Sequence, residues 1–183
     1  MPKRSNPYPL YHYTIGAKLA AIRATGALLQ SSLLLEDGER PVVWFSRHPI
    51  MEPTARKGWL SSDGSYRSLT TQETHQLGGG LYRFRLSPEF PTISFHDYKK
   101  CSGISEEMYL QLSSQGRKDG ANPNDWRVSF VPVNLDDIDL VERWNDLIWV
   151  PFQFHKIGDP MGELLAEDTC RTGVTWTNCE IWL

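Results

Sequence analysis

Three adjacent residues near the start of the chain, His12, Tyr13 and Thr14, have side chains suited to binding a sugar or a nucleotide. They end a short aromatic and β-branched run, which predicts a strand, and an apolar helical pattern follows directly. In mixed folds, ligands gather where strand ends meet helix starts. A histidine there can bond a sugar hydroxyl, a threonine can cap the helix or reach the ligand, and a tyrosine can stack on a planar ring. The alternative is that His12 bonds only the backbone and Tyr13 belongs to the core.

A second run, Val-Val-Trp-Phe-Ser, ends further along the chain with Trp44, Phe45 and Ser46. Its continuous apolar character predicts a strand that is buried on both faces. The two rings either stack on a ligand or belong to the core, and the Ser46 hydroxyl either reaches a ligand or bonds its own turn. Arg47 follows directly. Its guanidinium, together with that of Arg56, could hold a pyrophosphate in bidentate fashion, although a solvated surface position is the alternative.

The two runs together resemble the N-terminal half of the ADP-ribosyltransferase fold. The resemblance rests on Leu-Tyr-His-Tyr-Thr at 10–14, an Ile/Leu helix after it, Thr-Gly-Ala-Leu at 25–28 and Val-Val-Trp-Phe-Ser at 42–46. The closest branch has a histidine at the end of the first strand, and it includes the DNA-modifying DarT-like toxins and the tRNA 2′-phosphotransferases. Elsewhere the likeness extends only to the order of strands.

This resemblance implies that NAD is the substrate and that no metal is needed. The residues it places around NAD are His12, Tyr13, Thr14, Trp44, Phe45 and Arg47. His12 would contact the nicotinamide ribose, while the second run would shape the nicotinamide pocket. His12, Ser46 and an acid would then act in catalysis.

The acid is the part of the family pattern from which this chain departs. The family places a carboxylate, usually from Glu, before a later strand that runs into Val-Pro. Here Asp125 takes that position, before Trp-Arg-Val-Ser-Phe-Val-Pro. Its side chain is one methylene shorter, so its carboxylate would lie about 1.5 Å further back, by roughly one bond length, and such a displacement slows catalysis. Glu142 and Glu180 are the alternative acids.

The function implied by the resemblance is that of a mono-ADP-ribosyltransferase-like protein. Such a protein would cleave the nicotinamide–ribose bond of NAD through an oxocarbenium-like state and modify an unknown protein or nucleic-acid acceptor. The alternative is a catalytically degenerate module of the same fold that binds a nucleotide or a partner. A third candidate is an RNA 2′-phosphotransferase, which would use Arg47 and Arg56 on the phosphate.

The composition favours one folded domain of a cytoplasmic protein. The chain has 183 residues, of which 40% are hydrophobic and 22% charged, so disorder throughout is excluded. Its net charge of −3 argues against a nucleic-acid binder held by bulk electrostatics. No apolar run reaches the ~18–20 residues that span a bilayer, and the first residues lack the apolar core of a signal peptide. We therefore expect no membrane association.

The metal-binding residue types do not form a recognisable site. Cys101, Cys170 and Cys179 are odd in number and contain no CxxC pair, so neither a disulfide framework nor a zinc site is expected. The histidines show no HxxxH or HxH spacing. Asp136, Asp137 and Asp139 lack the bidentate Glu of a calcium loop.

The predicted strands and helices that would position these residues indicate a single α+β domain at 10–183, preceded by an extended Pro-rich arm at 1–9. We expect two packed, mainly antiparallel sheets with a few helices. Strands are predicted at 10–14, 27–32, 42–46, 81–86, 126–133, 138–144, 147–152 and 174–183, with a short one within 91–98, and helices at 15–25, 105–114 and 161–167. Residues 52–80 are predicted to be irregular, with the triple glycine at 78–80 as a flexible hinge.

Overall fold

A computed structural model describes residues 8–31, 35–60 and 64–155. The predicted helix at 161–167, the predicted strand at 174–183 and most of the predicted arm at 1–9 lie outside the described residues, as does Glu180. Within the described residues, strands and four α-helices form one α+β domain.

The elements occur in the following order along the chain. They are β1 Leu10–Ile15, α1 Gly16–Thr25, β2 Ala27–Leu28, β3 Val43–Ser46, β4 Gly58–Leu60, β5 Tyr66–Ser68, α2 Thr71–Leu77, β6 Leu81–Leu86, β7 Ile93–Ser94, α3 Phe95–Cys101, α4 Glu106–Lys118, β8 Trp126–Ser129, β9 Val133–Asn134, β10 Leu140–Trp144 and β11 Trp149–Pro151. Short 3-10 turns lie at Pro53–Ala55, Pro123–Asp125 and Leu135–Asp137.

One large sheet organises the described residues. Its strand order is β11-β10-β6-β1-β3-β8-β7, and every pairing is antiparallel. Two further sheets, β2 with β9 and β4 with β5, have two strands each. The α+β class and the antiparallel pairing are confirmed, whereas the expected pair of packed sheets is replaced by one seven-stranded sheet. Helices and the short β2–β9 pair cover the large sheet in place of a second sheet of comparable size.

Strand register decides which side chains share a face of this sheet. His12 lies opposite Phe84 on β6, and Tyr11 lies opposite Ser46 on β3. Because successive side chains of a strand point to opposite faces, His12 and Tyr13 lie on different sides. We call these sides the His12 face and the Tyr13 face.

Each face has its own apolar core. On the His12 face, α1, β2 and β9 cover the sheet through a cluster made of Leu10, Leu19, Leu28, Val43, Phe45, Tyr82, Phe84, Leu86, Val133, Leu135 and Val141. On the Tyr13 face, α3 and α4 cover one half through Phe95, Tyr98, Trp126 and Val128. The other half of that face packs Tyr11 and Tyr13 against Ala55.

The start of α1 differs from the prediction. Thr14 does not cap this helix, since the cap position is Ile15 and no side chain bonds there. Instead the carbonyls of Gly80 and Gly78 accept from the first helical N–H groups, at 3.0 Å each. A Cβ at Gly16 would collide with the carbonyl of Gly79. The triple glycine is therefore a tightly packed backbone cap. The other end of α1 is as predicted, with Gly26 in the left-handed conformation at φ 66°.

Residues 52–80 are more regular than the sequence indicated. They contain the β4–β5 hairpin and α2, whose capping box joins Thr70 to Glu73. The short strand predicted within 91–98 is β7 at Ile93–Ser94, and α3 begins directly after it because Ser94 accepts from the N–H of Asp97. Helices long and apolar enough to cross a membrane are absent from the described residues.

Candidate functional site

A cleft of about 170 Å³ lies where β1 separates from β3. β1 pairs with β6 over all six of its residues, but with β3 at only one position, Tyr11 opposite Ser46. The ladder ends at His12, whose Nδ1 lies 3.0 Å from the carbonyl oxygen of Trp44. Beyond that point β1, α1 and the segment 27–31 enclose the cleft, together with Lys57.

The ring of His12 is held in a defined orientation at this cleft. A carbonyl only accepts hydrogen bonds, so the bond to Trp44 requires Nδ1 to carry the proton, and Nε2 of the neutral ring is then an acceptor. The ring packs against Phe45 and Phe84, with centroids 6.0 and 6.4 Å away. His12 remains half-buried and lines the cleft. It can therefore accept a hydrogen bond from a hydroxyl donor such as a ribose.

Cationic and neutral polar groups complete the polar lining of the cleft. They are Thr14, Lys18, Thr25, Gln30, Ser31 and Lys57. Lys57 is only 3% exposed although it lines the cleft. None of the described residues that line it is acidic. The lining therefore favours an anionic ligand, and it contains no described carboxylate that could act on a bound sugar.

The predicted neighbours of His12 divide between the two faces. Thr14 is buried and lines the cleft. Tyr13 is also among the residues that line the cleft. Its ring, however, packs on the other face against Trp149, and its hydroxyl donates to the carbonyl of His48 at 3.1 Å. Burial raises the pKa of Tyr13 well above its usual value, an effect that Arg83 partly offsets. Tyr13 is therefore a core residue whose hydroxyl is occupied.

The second run divides in the same way. Phe45 is buried on the His12 face and supports the imidazole. Trp44 lies on the Tyr13 face, where its ring meets those of Tyr98 and Trp126 at 5.2 and 6.3 Å. Trp44 contributes its carbonyl to His12, while its ring belongs to the core.

Ser46 does not reach the cleft. It lies on the Tyr13 face with 1% of its surface exposed, and its hydroxyl donates to Glu52 at 2.6 Å. The Glu52 carboxylate also accepts from the Thr54 hydroxyl at 2.8 Å. These buried hydrogen bonds stabilise the turn after β3. Ser46 therefore has a structural role on the face of the sheet opposite to His12. Glu52 was not singled out from the sequence; its position before Pro-Thr, as cap of a 3-10 turn, is the local signal.

The two candidate acids among the described residues, Asp125 and Glu142, also lie away from the cleft. Asp125 lies beside Arg47, whose N–H donates to the Asp125 carbonyl at 3.0 Å, and its carboxylate accepts from Asn122 at 3.2 Å. Glu142 is buried on the Tyr13 face and pairs with Arg83 at 2.7 Å. Neither acid lines the cleft.

The two predicted phosphate-binding arginines are not brought together at the cleft. Arg56 pairs with Asp119 at 3.3 Å, and neither Arg56 nor Arg47 is among the lining residues. The cleft is lined instead by two lysines, Lys18 and Lys57, which sequence patterns did not distinguish from surface residues.

Within the described part of the chain, no group of three or more His, Cys, Asp or Glu side chains is placed to hold a metal ion.

Comparison of the chain with known proteins finds no relative. The chain matches no protein-family model, and it has no significant match among the curated proteins or among the solved structures. The functional argument therefore depends on the geometry of the cleft.

Proposed function

We propose that the protein has an ADP-ribosyltransferase-like fold and binds NAD, or a closely related dinucleotide, in the cleft beside His12. The observation that carries this proposal is the position of the imidazole. It stands where β1 leaves β3, it lines a cleft, and its proton is held on Nδ1 by the Trp44 carbonyl. The family resemblance assigns the same residue to the nicotinamide ribose.

The cleft chemistry suits a phosphorylated ribose. The ribose hydroxyl donates to Nε2 of His12, and the ammonium groups of Lys18 and Lys57 attract the pyrophosphate. Gln30 and Ser31 supply neutral polar contacts at the opposite wall. At about 170 Å³ the cleft is smaller than the ~300–1,000 Å³ typical of small-molecule sites. One ribosyl half of the dinucleotide therefore enters it, and the other half extends along the surface.

Binding without turnover is the form of this function that the described residues support best. Cleavage of the nicotinamide–ribose bond benefits from a carboxylate near the developing positive charge, and the described lining contains none. The transferase is the second candidate. It is favoured by the orientation of His12, and it requires an acid from outside the described residues, among which Glu180 is the one predicted from the sequence.

Calorimetric titration with NAD, combined with measurement of nicotinamide release, tests both forms. We expect NAD to bind and His12→Ala to weaken binding by about tenfold, the effect of losing one well-placed hydrogen bond. His96→Ala is the matched control, because His96 is exposed on α3 and remote from the lining.

The outcomes separate the candidates. Binding without nicotinamide release supports the module, and release that depends on His12 establishes the transferase. Failure of NAD and ADP-ribose to bind the folded wild-type protein would show that the likeness of its first two strands to the family is accidental.

A further inference from the structure

Two arginines lie side by side on the His12 face, next to the cleft but not among the residues that line it. Arg127 on β8 is directly opposite Phe45 on β3, and Arg47 follows two residues after Phe45. In an antiparallel pair such positions are diagonal neighbours, with roughly 7–8 Å between them, which is within reach of long side chains. The short β3–β8 pairing therefore brings two guanidinium groups together.

Neither guanidinium is neutralised within the described part of the chain. The Nε atoms of Arg47 and Arg127 are buried and have no hydrogen-bond partner there. Asp125 is the nearest acid on the same face, but it forms no ion pair with either arginine in the described residues, and its carboxylate accepts from Asn122. Burial, and then the charge of Arg127, lower the pKa of Arg47, and the charge of Asp125 only partly offsets them. Two partly desolvated like charges repel each other unless an anion lies between them.

A third arginine, Arg83, provides a contrast, because its guanidinium has hydrogen-bond partners within the fold. Arg83 donates to Glu142 at 2.7 Å and to the carbonyl of Pro49 at 3.1 Å, and it lies between the rings of Tyr11 and Trp149. Its donors are used by the fold. No described residue accepts from the side chains of Arg47 or Arg127, and both side chains are only half-buried, so the outer N–H groups of their guanidinium groups are available to a ligand.

We infer that Arg47 and Arg127 form a second binding site, which takes a phosphate group. Guanidinium groups bind phosphate oxygens in bidentate fashion, and two of them on one side can hold a single tetrahedral oxyanion. Asp125 beside the pair disfavours a trianionic ligand and favours a monoester or diester, since it adds one negative charge. The site does not depend on the function proposed for the cleft.

The position of this site relates it to the cleft. Phe45 stands between His12 and Arg127 on the same face, and two strand spacings separate these residues, about 10 Å. The phosphate could thus be a free anion or belong to a nucleotide that also reaches the cleft. The shared chemistry is the phosphate group, and the experiment distinguishes the two sources.

The test is calorimetric titration of the full chain at low ionic strength with inorganic phosphate, and separately with AMP and with NAD. We expect inorganic phosphate to bind, and Arg127→Gln and Arg47→Gln each to weaken binding by about tenfold or more, as expected for loss of a charge-assisted contact. Arg23→Gln is the matched control. Arg23 also has a buried Nε without a hydrogen-bond partner, but it stacks on Phe154 and has no second arginine in the described contacts.

The two sources give different results in Arg127→Gln. If only inorganic phosphate and AMP lose affinity while NAD binding is unchanged, the site is separate from the cleft. If NAD loses affinity as well, the nucleotide spans both, and the proposal also holds. Failure of NAD to bind wild type, with phosphate still bound through the arginines, would overturn the proposed function of the cleft and leave this site intact.

A stability measurement guards against variants that fold poorly. In buffer without oxyanions, Arg127→Gln should melt at the same temperature as wild type or higher, because one of two repelling charges is gone. Adding phosphate should raise the melting temperature of wild type and of Arg23→Gln but not that of Arg127→Gln, relative to chloride at equal ionic strength. Phosphate binding that is absent in wild type, or equally strong in both arginine variants and Arg23→Gln, would overturn the site.

Discussion

The two faces of the central sheet use their polar residues differently. On the Tyr13 face, Ser46 donates to Glu52, Arg83 pairs with Glu142, and the Tyr13 hydroxyl donates to a carbonyl. The protein itself satisfies these groups, so they hold strands and turns together. The His12 face instead carries a cleft lined with polar and cationic groups, and next to it two arginines without a described partner. The polar groups of the Tyr13 face are thus used within the core, whereas those of the His12 face line a cleft or, for Arg47 and Arg127, have a buried Nε without a described acceptor.

The largest expected effect comes from breaking the paired arginine. Arg83→Met leaves Glu142 buried without its cation, which should lower the free energy of unfolding by about 3–5 kcal/mol. Urea denaturation followed by circular dichroism measures it. Arg127→Met is the control, and it should change stability little or increase it. Equal losses in both variants would remove the distinction between the two faces.

The next effect concerns Ser46. Ser46→Ala deprives the buried Glu52 carboxylate of a donor, so we expect the free energy of unfolding to fall by about 1–2 kcal/mol. NAD affinity should stay unchanged, because the hydroxyl lies on the face opposite to His12. A variant that keeps its melting temperature but loses nucleotide binding would place Ser46 in the binding site after all.

On the other face, Lys18→Gln should have the opposite pattern. Losing an ammonium group from the cleft should weaken NAD binding by about tenfold, a larger effect on binding than that expected for Ser46→Ala. The loss should shrink at high salt, where charge–charge attraction is screened. Lys118→Gln, at the exposed end of α4, is the control. Calorimetry at two salt concentrations gives both quantities, and equal losses for the two lysines would argue for bulk charge alone.

The smallest effect lies outside both faces, at the start of α2. Hydrogen bonds from Arg67 and Thr70 lower the pKa of Glu73 from 4.5 to about 2. A carboxyl whose pKa is lower in the folded state stabilises the fold above its unfolded pKa, and this contribution is lost as the pH falls from 4.5 towards 2. NMR titration should show a Glu73 midpoint that rises towards the usual value in Arg67→Gln. An unchanged midpoint would mean that the capping box acts without Arg67.

Several elements of the fold could be predicted because their signals are local. The apolar helical pattern that follows the first strand placed α1 to within one residue, and the predicted strand at 81–86 coincides with β6. The Thr70-x-x-Glu73 capping box was equally local, but the surrounding glycines and serines suggested a loop. Ser94 likewise had an acid three residues later, and the helix that it caps after β7 was not predicted.

The candidate site was predictable only in part, because a site depends on which residues meet. His12 was identified from the sequence, and it does line a cleft. Its presumed partner Ser46 lies on the opposite face, which follows from the single register pair of β1 with β3. Lys57 lines the cleft although it lies in a segment predicted to be irregular. Arg127 meets Arg47 only because β8 pairs with β3, two strands far apart in the chain.

The sequence by itself determined the α+β class, the first strand and helix, and the histidine as a candidate binding residue on that strand. Those properties depend on side-chain periodicity and on backbone preferences over a few residues. Only the tertiary structure decided which face of the sheet each polar residue occupies and which charges the fold itself pairs. Register between distant strands sets both, and a shift of one residue would exchange the two faces.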